Sequence, residues 1–461
     1  MLESSSPKWH NLPMNTSIFK SYDIRGIYPS ELNEEAARQI GVAFARYNAA
    51  PGSAGLKKVA VGQDARISSP ALFAALVEGL LSQGVQVHDI GQVPTEGLYF
   101  AMGSYDFDGG VMITASHNPK EYNGLKMVVK KGNDIVWVRG TDLLEVASKE
   151  YQPAFAKGSV VAKDIWQDYK TFVTKFMGQV KPMRVAVDAS SGVIGQVFNR
   201  LQDKLGVEIL PLNFEPDGNF PNHSPNPLEE GASHQIAEVI KKEKLDFGVM
   251  FDADADRIFL VDEKGQMVSA DMVLLLLAKQ FLAKNPGWGI AYNLICSKSV
   301  PEFIKKWGGV PIRTQVGFVN VREGLIKNNG VMGGELSAHY CFKDYFYCDS
   351  GMVAFLTLLQ IISKEKKPVS QIVKELSIYA PPFQANFKIE NIPAALEKIK
   401  EKYADAKQDY LDGVTIEYKD WWFNLRPSNT EPLLKLTIEA DTVELLEEKK
   451  KEINNFLNRE I

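Results

Sequence analysis

Lys58-Val59-Ala60-Val61 returns later in the chain as Arg184-Val185-Ala186-Val187, a basic residue leading the same short apolar run. The first copy enters a turn at Gly62-Gln63-Asp64-Ala65-Arg66 and then an amphipathic stretch from Pro70 to Gln83. That order predicts a strand followed by a covering helix, with proline near the helix start. The echo predicts repeated α/β units instead of one large sheet. Length agrees, because 461 residues are too many for a single core and imply three or four domains.

Composition narrows the function. A net charge of −5 argues against a general nucleic-acid binder, which needs surplus Lys and Arg, but leaves room for small cationic pockets. Cys296, Cys341 and Cys348 lack metal-type spacing, so neither a disulfide framework nor a zinc site is expected. The opening Met1-Leu2-Glu3-Ser4-Ser5-Ser6 does not read as a secretory signal, and the apolar run Met272 to Ala278 is too short to span a bilayer. A cytoplasmic protein with no membrane or nucleic-acid partner is expected, as a monomer or weak dimer.

Chemistry first gathers at Gly109-Gly110-Val111-Met112-Ile113-Thr114-Ala115-Ser116-His117-Asn118-Pro119. The apolar run reads as a buried strand and Asn-Pro as a turn, so Ser116 is placed on a tight loop at a strand's C-terminal end. Open α/β sheets bind ligands at that end. His117 is a possible base beside the hydroxyl, and Lys126 offers a cation for an anionic substrate. Upstream, Phe19-Lys20-Ser21-Tyr22-Asp23-Ile24-Arg25-Gly26 precedes a helical pattern from Leu32 to about Tyr47. Its Arg25 can aim a guanidinium at a phosphate or form an ordinary ion pair.

In the second unit an apolar strand, Leu245 to Phe251, runs into Asp252-Ala253-Asp254-Ala255-Asp256-Arg257. Carboxylates at alternate positions of an extended loop point to one side and repel, so the cluster calls for a cation. Oxygen ligands without His or Cys favour Mg²⁺. An EF-hand would place Glu263 at its twelfth position, but Arg257 stands where that loop needs glycine and the entering segment is strand-like. The third unit ends in Gly333-Gly334-Glu335-Leu336-Ser337-Ala338-His339, where Glu335, Ser337 and His339 alternate and suit sugar hydroxyls. After the charged, linker-like Lys364 to Pro368 comes a small α+β domain whose turn, Arg426-Pro427-Ser428-Asn429-Thr430-Glu431-Pro432, has the makings of a phosphate cradle.

These four loops, in this order, resemble the α-D-phosphohexomutase superfamily over essentially the whole chain, and the regions around Ser337 to Gly351 and Trp421 to Pro432 are most similar to its phosphomannomutase branch. The resemblance implies three similar mixed-sheet α/β domains and a smaller C-terminal α+β domain around a central cleft, divided here as residues 1–162, 163–264, 265–374 and 375–461. It implies an isomerase that interconverts hexose 1-phosphate and hexose 6-phosphate, of mannose and possibly also of glucose, through a phosphoserine and a hexose 1,6-bisphosphate. Ser116 would carry the phosphoryl group, and with Asp252, Asp254 and Asp256 would hold Mg²⁺. His117 and Lys126 are both candidates for proton transfer or phosphate contact, and Arg25 and Arg257 would flank the transferred group. Glu335, Ser337 and His339 would bind sugar hydroxyls, and Arg426, Ser428, Asn429 and Thr430 the non-reacting phosphate. Ala253 and Ala255 stand where glycines are common, Ser190-Ser191-Gly192 replaces an Asn-Gly, and Val316-Gly317-Phe318 replaces a Thr-Gly-His, which leaves sugar selectivity open. The alternatives are a phosphoglucomutase or phosphoglucosamine mutase, a serine-dependent phosphatase, and a non-catalytic sugar-phosphate sensor.

Overall fold

A computed structural model of the chain describes residues 15–47, 55–149, 151–152, 154, 156–428 and 433–460. Four sheets organise it. The first runs Ile24–Ile27, Tyr122–Lys131, Gly109–Ile113, Lys58–Gln63, Gln86–Gln92, Ser159–Ala162, with Asp134–Val138 paired onto Tyr122–Lys131. The second runs Ile258–Val261, Phe247–Phe251, Arg184–Asp188, Glu208–Leu212. The third runs Val310–Thr314, Gly289–Asn293, Met332–Gly334, Tyr340–Phe342, Cys348–Asp349. The fourth is wholly antiparallel and carries the helices Ile392–Lys402 and Val443–Glu460.

One arrangement recurs in the first three sheets. A buried strand pairs in parallel with one neighbour and then turns back through a hairpin to pair antiparallel with the next segment. Gly109–Ile113 does so between Lys58–Gln63 and Tyr122–Lys131. Phe247–Phe251 does so between Arg184–Asp188 and Ile258–Val261. Met332–Gly334 does so between Gly289–Asn293 and Tyr340–Phe342. The two echoing segments at 58–61 and 184–187 therefore hold the same place, as parallel neighbours of the strand that feeds the hairpin. Each hairpin leaves the carboxyl end of its strand, where an α/β sheet presents loops to a ligand.

Packing ties the first three units into one body. A single cluster of buried side chains extends from Ala60 through Phe198, Phe251 and Phe355 to Leu376. At its centre lies the helix Gly351–Lys364, buried on nearly all sides, with the Phe355 ring against Phe198 and Phe251. A helix apolar all round belongs in an interior, and truncating one such aromatic typically costs about 3–5 kcal/mol. The last unit has its own core around Ile399, Phe423, Leu436 and Ile453. The charged segment Lys364 to Pro368 is a short connection between two helices of the shared body, since Val369, Ile372 and Leu376 are buried there as well. Its charge reflects a solvated turn.

The buried Glu96, in the first turn of helix Thr95–Ser104, joins the units chemically. Its carboxylate accepts from Tyr169 Oη, from Ser350 Oγ and from the Met352 amide at 3.1 Å, and Tyr345 Oη donates to its carbonyl at 2.7 Å. Burial nevertheless pushes the carboxyl up to about 7. A carboxyl with a higher pKa folded than unfolded stabilises fully below its ordinary value of 4.5, and that contribution is lost as pH rises through about 7. The melting temperature of the wild type minus that of Glu96→Gln is expected to fall across this window and to level off above it. A difference that does not change with pH would contradict the assignment.

Candidate active site

The three hairpin loops meet. Ser116 Oγ donates to Asp252 Oδ2 at 2.8 Å, joining the first unit to the second. Arg257 and His339 form a β-bridge, and His339 Nε2 stands 3.4 Å from Asp256 Oδ1, joining the second to the third. The fourth unit closes on the third. Asp412 accepts from the Val316 amide at 3.0 Å, and Arg313 pairs with Asp409 at 2.8 Å. Arg426, nearly buried, has Asp412, Tyr22 and Glu335 as its charged and polar neighbours.

Register explains the basic residues. Arg25 pairs with Gly124, and Met112 with Lys126, across antiparallel strands. Cross-strand partners share a face, and so do residues two apart, so Arg25 and Lys126 stand on one side of the sheet. Gly124 is needed there, because a Cβ would lie 2.4 Å from the Ile24 carbonyl oxygen. Arg25 Nη1 donates to Asn118 Oδ1 at 2.7 Å, beside the serine loop, and its other end pairs with Asp23.

The loops are tighter than the alternating pattern predicts. Both the Asp252–Arg257 and the Glu335–His339 connections are hairpin turns, not extended segments. Their carboxylates converge because the backbone reverses: Ser116, Ala255 and Ala338 adopt φ of 49°, 61° and 68°. Such left-handed geometry in non-glycine residues costs of order 1–3 kcal/mol and collects at functional loops. Ser190 and Ser191 are left-handed too, at 49° and 54°, and Ser190 Oγ donates to the Phe251 carbonyl just before the acidic turn.

Asp252, Asp254 and Asp256 each bring a carboxylate oxygen within 4.8 Å of the others. All three are almost fully buried. Lys126 Nζ bridges them, donating to Asp254 Oδ2 at 2.7 Å and to Asp256 Oδ2. Among the described residues, Asp254 Oδ1 has no hydrogen-bond partner, and Asp256 Oδ1 has only the ion pair with His339 Nε2 at 3.4 Å. A buried cluster of carboxylates, an all-oxygen set, fits a hard divalent cation.

Charge sorts the titratable groups. Burial, and then Asp254 and Asp256, push Asp252 up to about 7. Asp256 is held well below the usual carboxylate range because Lys126 and His339 outweigh its burial. Lys126 is raised, its burial outweighed by the three aspartates, and stays an ammonium. His117 is driven well below its ordinary value by burial, then by Arg257 and Arg25. It stays a neutral imidazole, with Nδ1 3.2 Å from Ser116 Oγ and accepting from Arg257 Nη2. His339 is raised to about 10, burial being overcome by Asp256 and Glu335. Glu335 stays ionised, and Ser337 Oγ, a donor to it, lies 2.9 Å from His339 Nδ1.

Arg25, Ser116, His117, Lys126, Asp252, Asp254, Asp256, Arg257, Glu335, Ser337 and His339 are thus linked by hydrogen bonds, ion pairs and strand register, Arg426 lies near Glu335, and Ser428 comes just after the strand Trp421–Pro427. Asn429 and Thr430 lie outside the described residues. Pattern reading missed Arg66, buried to 1% exposure under the serine loop. Its guanidinium donates to the carbonyls of Ser116 at 2.7 Å, Asn118 at 2.6 Å, Pro119 at 2.7 Å and Tyr122 at 2.9 Å. Asp64 pairs with Nε at 3.2 Å. The five donors of one guanidinium can splay across a loop in this way; an ammonium cannot. The signal available was Asp64-Ala65-Arg66 at a strand end, which says nothing of its acceptors.

Comparison with known proteins agrees with this architecture unit by unit. Family models described as phosphoglucomutase/phosphomannomutase match four times: alpha/beta/alpha domain I at residues 16–142, domain II at 167–265, domain III at 269–379, and the C-terminal domain at 385–456. A Xanthomonas campestris protein named phosphohexose mutases is 35% identical over 456 residues, covering 96% of this chain and 100% of its own. A Vibrio cholerae phosphomannomutase is 34% identical over 457 residues, covering 96% and 98%. A solved phosphoglucomutase/phosphomannomutase family protein from Burkholderia thailandensis superposes with a TM-score of 0.87 at 31% identity, covering 96% and 97%. With all four units matched in order and the relatives aligned nearly end to end, the chain belongs to the phosphoglucomutase/phosphomannomutase family.

Proposed function

We propose that the protein is a phosphohexomutase, interconverting hexose 1-phosphate and hexose 6-phosphate, with mannose phosphate as its main substrate and glucose phosphate as a second one. The observation that carries this reading is the Ser116 hydroxyl, 2.8 Å from Asp252 of a buried triad of aspartates, with Asp256 linked on through His339 to Glu335 and Arg426 near Glu335. A hydroxyl beside a cation site suits phosphoryl transfer, and a separate basic group suits a second phosphate. The Vibrio cholerae relative's name supports mannose as the sugar.

In this reading Ser116 carries the phosphoryl group. One transfer breaks the Oγ–P bond as a sugar hydroxyl forms its own O–P bond; the hexose 1,6-bisphosphate then turns and returns its other phosphoryl group to Oγ. Asp252, Asp254 and Asp256 hold Mg²⁺, which when bound draws charge from the phosphoryl oxygens. Arg25 and Arg257 supply charge on the other sides. Lys126, paired with Asp254 and Asp256, is one candidate for proton transfer or for contact with the phosphoryl group. His117, with Nδ1 3.2 Å from Oγ, is the other candidate. Glu335 accepts from sugar hydroxyls, Ser337 bridges, and the His339 cation donates. Arg426, Ser428, Asn429 and Thr430 hold the remote phosphate, so either end of the sugar can face the same serine.

Residues 1–162, 163–264, 265–374 and 375–461 remain the proposed division into four units. No helix among the described residues is long and apolar enough to cross a membrane. A cytoplasmic monomer or weak dimer is the proposed state.

The test offers purified protein mannose 1-phosphate and glucose 1-phosphate with Mg²⁺ and a trace of hexose 1,6-bisphosphate. Turnover of both, with the higher kcat/KM for mannose 1-phosphate, is expected. Turnover of neither would overturn the proposal.

A further inference from the structure

The oxygens of Asp254 are treated unequally. Oδ2 accepts from Lys126 Nζ at 2.7 Å and from Thr95 Oγ1 at 2.6 Å, while the buried Oδ1 has no hydrogen-bond partner among the described residues. Thr95 also donates its backbone amide to the Asp254 carbonyl at 2.9 Å. One residue of the first unit thus grips both the backbone and the side chain of a residue in the second unit's acidic turn. Thr95 is completely buried, at the first position of helix Thr95–Ser104, so its hydroxyl has no water to turn to.

What holds Thr95 is the next residue. Glu96 is tied to Ser350 and the Met352 amide at the start of the helix Gly351–Lys364, and to Tyr169 and Tyr345. The same turn is thereby referenced to the strand Cys348–Asp349, whose neighbour Tyr340–Phe342 follows directly on His339. Neighbouring Ala255 sits at φ 61°, a strained conformation that a free turn would relax. A clamp on both the carbonyl and the carboxylate of Asp254 opposes that relaxation.

We propose that Thr95 is a positioning residue for the cation site: by engaging Oδ2 it fixes the Asp254 carboxylate so that Oδ1 faces the cation. This rests on the reading of Asp254 as a cation ligand. Groups that orient a metal ligand from behind usually matter tenfold to a hundredfold in affinity. Sequence spacing could not reveal this one, since Thr95 and Asp254 are far apart in the chain and meet only through the packing of two units.

The test titrates Mn²⁺ into metal-stripped, full-length protein and follows free Mn²⁺ by electron paramagnetic resonance. Thr95→Val keeps the shape and removes the hydroxyl; Thr95→Ser keeps the hydroxyl. Weakening of Mn²⁺ binding by about ten- to a hundredfold is expected for Thr95→Val, with recovery in Thr95→Ser and little change of melting temperature in EDTA. Wild-type affinity in Thr95→Val, while Asp254→Asn loses Mn²⁺, would overturn the positioning role and leave the cation site standing. Wild-type affinity in Asp254→Asn would instead overturn the cation-ligand reading itself. A fall in the melting temperature of Thr95→Val that Thr95→Ser shares would assign Thr95 to packing and also sink the proposal.

Discussion

Replacing Ser116 by alanine is expected to lower kcat for either hexose 1-phosphate by at least about a thousandfold, because it removes the only atom proposed to carry the phosphoryl group between the two ends of the sugar. Binding should survive. Glu335, His339 and Arg426 stand away from the hydroxyl, so sugar-phosphate affinity measured by calorimetry should stay within a few-fold of wild type. The fold should also survive, since alanine keeps the backbone bonds of Ser116, its amide to the Thr114 hydroxyl at 2.8 Å and its carbonyl to Arg66 at 2.7 Å, and loses only the hydroxyl's bond to Asp252 and its contact with His117. Near-normal turnover in Ser116→Ala would remove the covalent mechanism.

Arg66→Lys is expected to have the next largest effect although residue 66 touches no substrate in this account. Four carbonyl oxygens of the serine loop are held by one buried guanidinium, which lies against the Phe220 ring at 5.1 Å. A lysine keeps the charge opposite Asp64 but cannot reach all four acceptors. Each buried acceptor left unpaired costs about 1–3 kcal/mol, so the loop should shift to find water. A displacement of about an ångström at a reacting atom can cost a hundredfold in rate. The predicted outcome is a fall of about a hundredfold in kcat with KM changed far less, together with a lower melting temperature. A lower melting temperature with kcat intact would show that Arg66 supports the fold without setting the position of Ser116.

Ser116 and Arg66 differ in how far each can be read from the chain. Ser116, the three aspartates and His339 were legible because each follows an apolar run that must be a buried strand, and strand ends are where such sheets expose loops. The direction of their side chains was not legible. Alternation predicts convergence for an extended segment, whereas the convergence here comes from left-handed Ser116, Ala255 and Ala338, and nothing in an alanine announces a positive φ. Arg25 could be picked out by its loop, but its place beside Lys126 depends on the register Arg25↔Gly124. Arg66, Thr95 and Glu96 went unread for a related reason: each acts on a segment that is remote in sequence and near only after packing. The connection at Lys364 to Pro368 misled in the opposite sense. A charged break resembles a linker until the buried faces of the helices on both sides are known.

The central claim is that one serine both gives and takes the phosphoryl group at a site built from three hairpin turns. The most direct test is to incubate the wild-type enzyme with glucose 1,6-bisphosphate whose phosphoryl groups carry an isotopic label, map the labelled peptide by mass spectrometry, and then chase with unlabelled mannose 1-phosphate. A single labelled phosphoryl group is expected on Ser116, which during the chase passes to the sugar and is replaced on Oγ by an unlabelled one. Full catalytic turnover with no phosphoryl group ever found on Ser116, or with a label there that the chase does not displace, would contradict this mechanism.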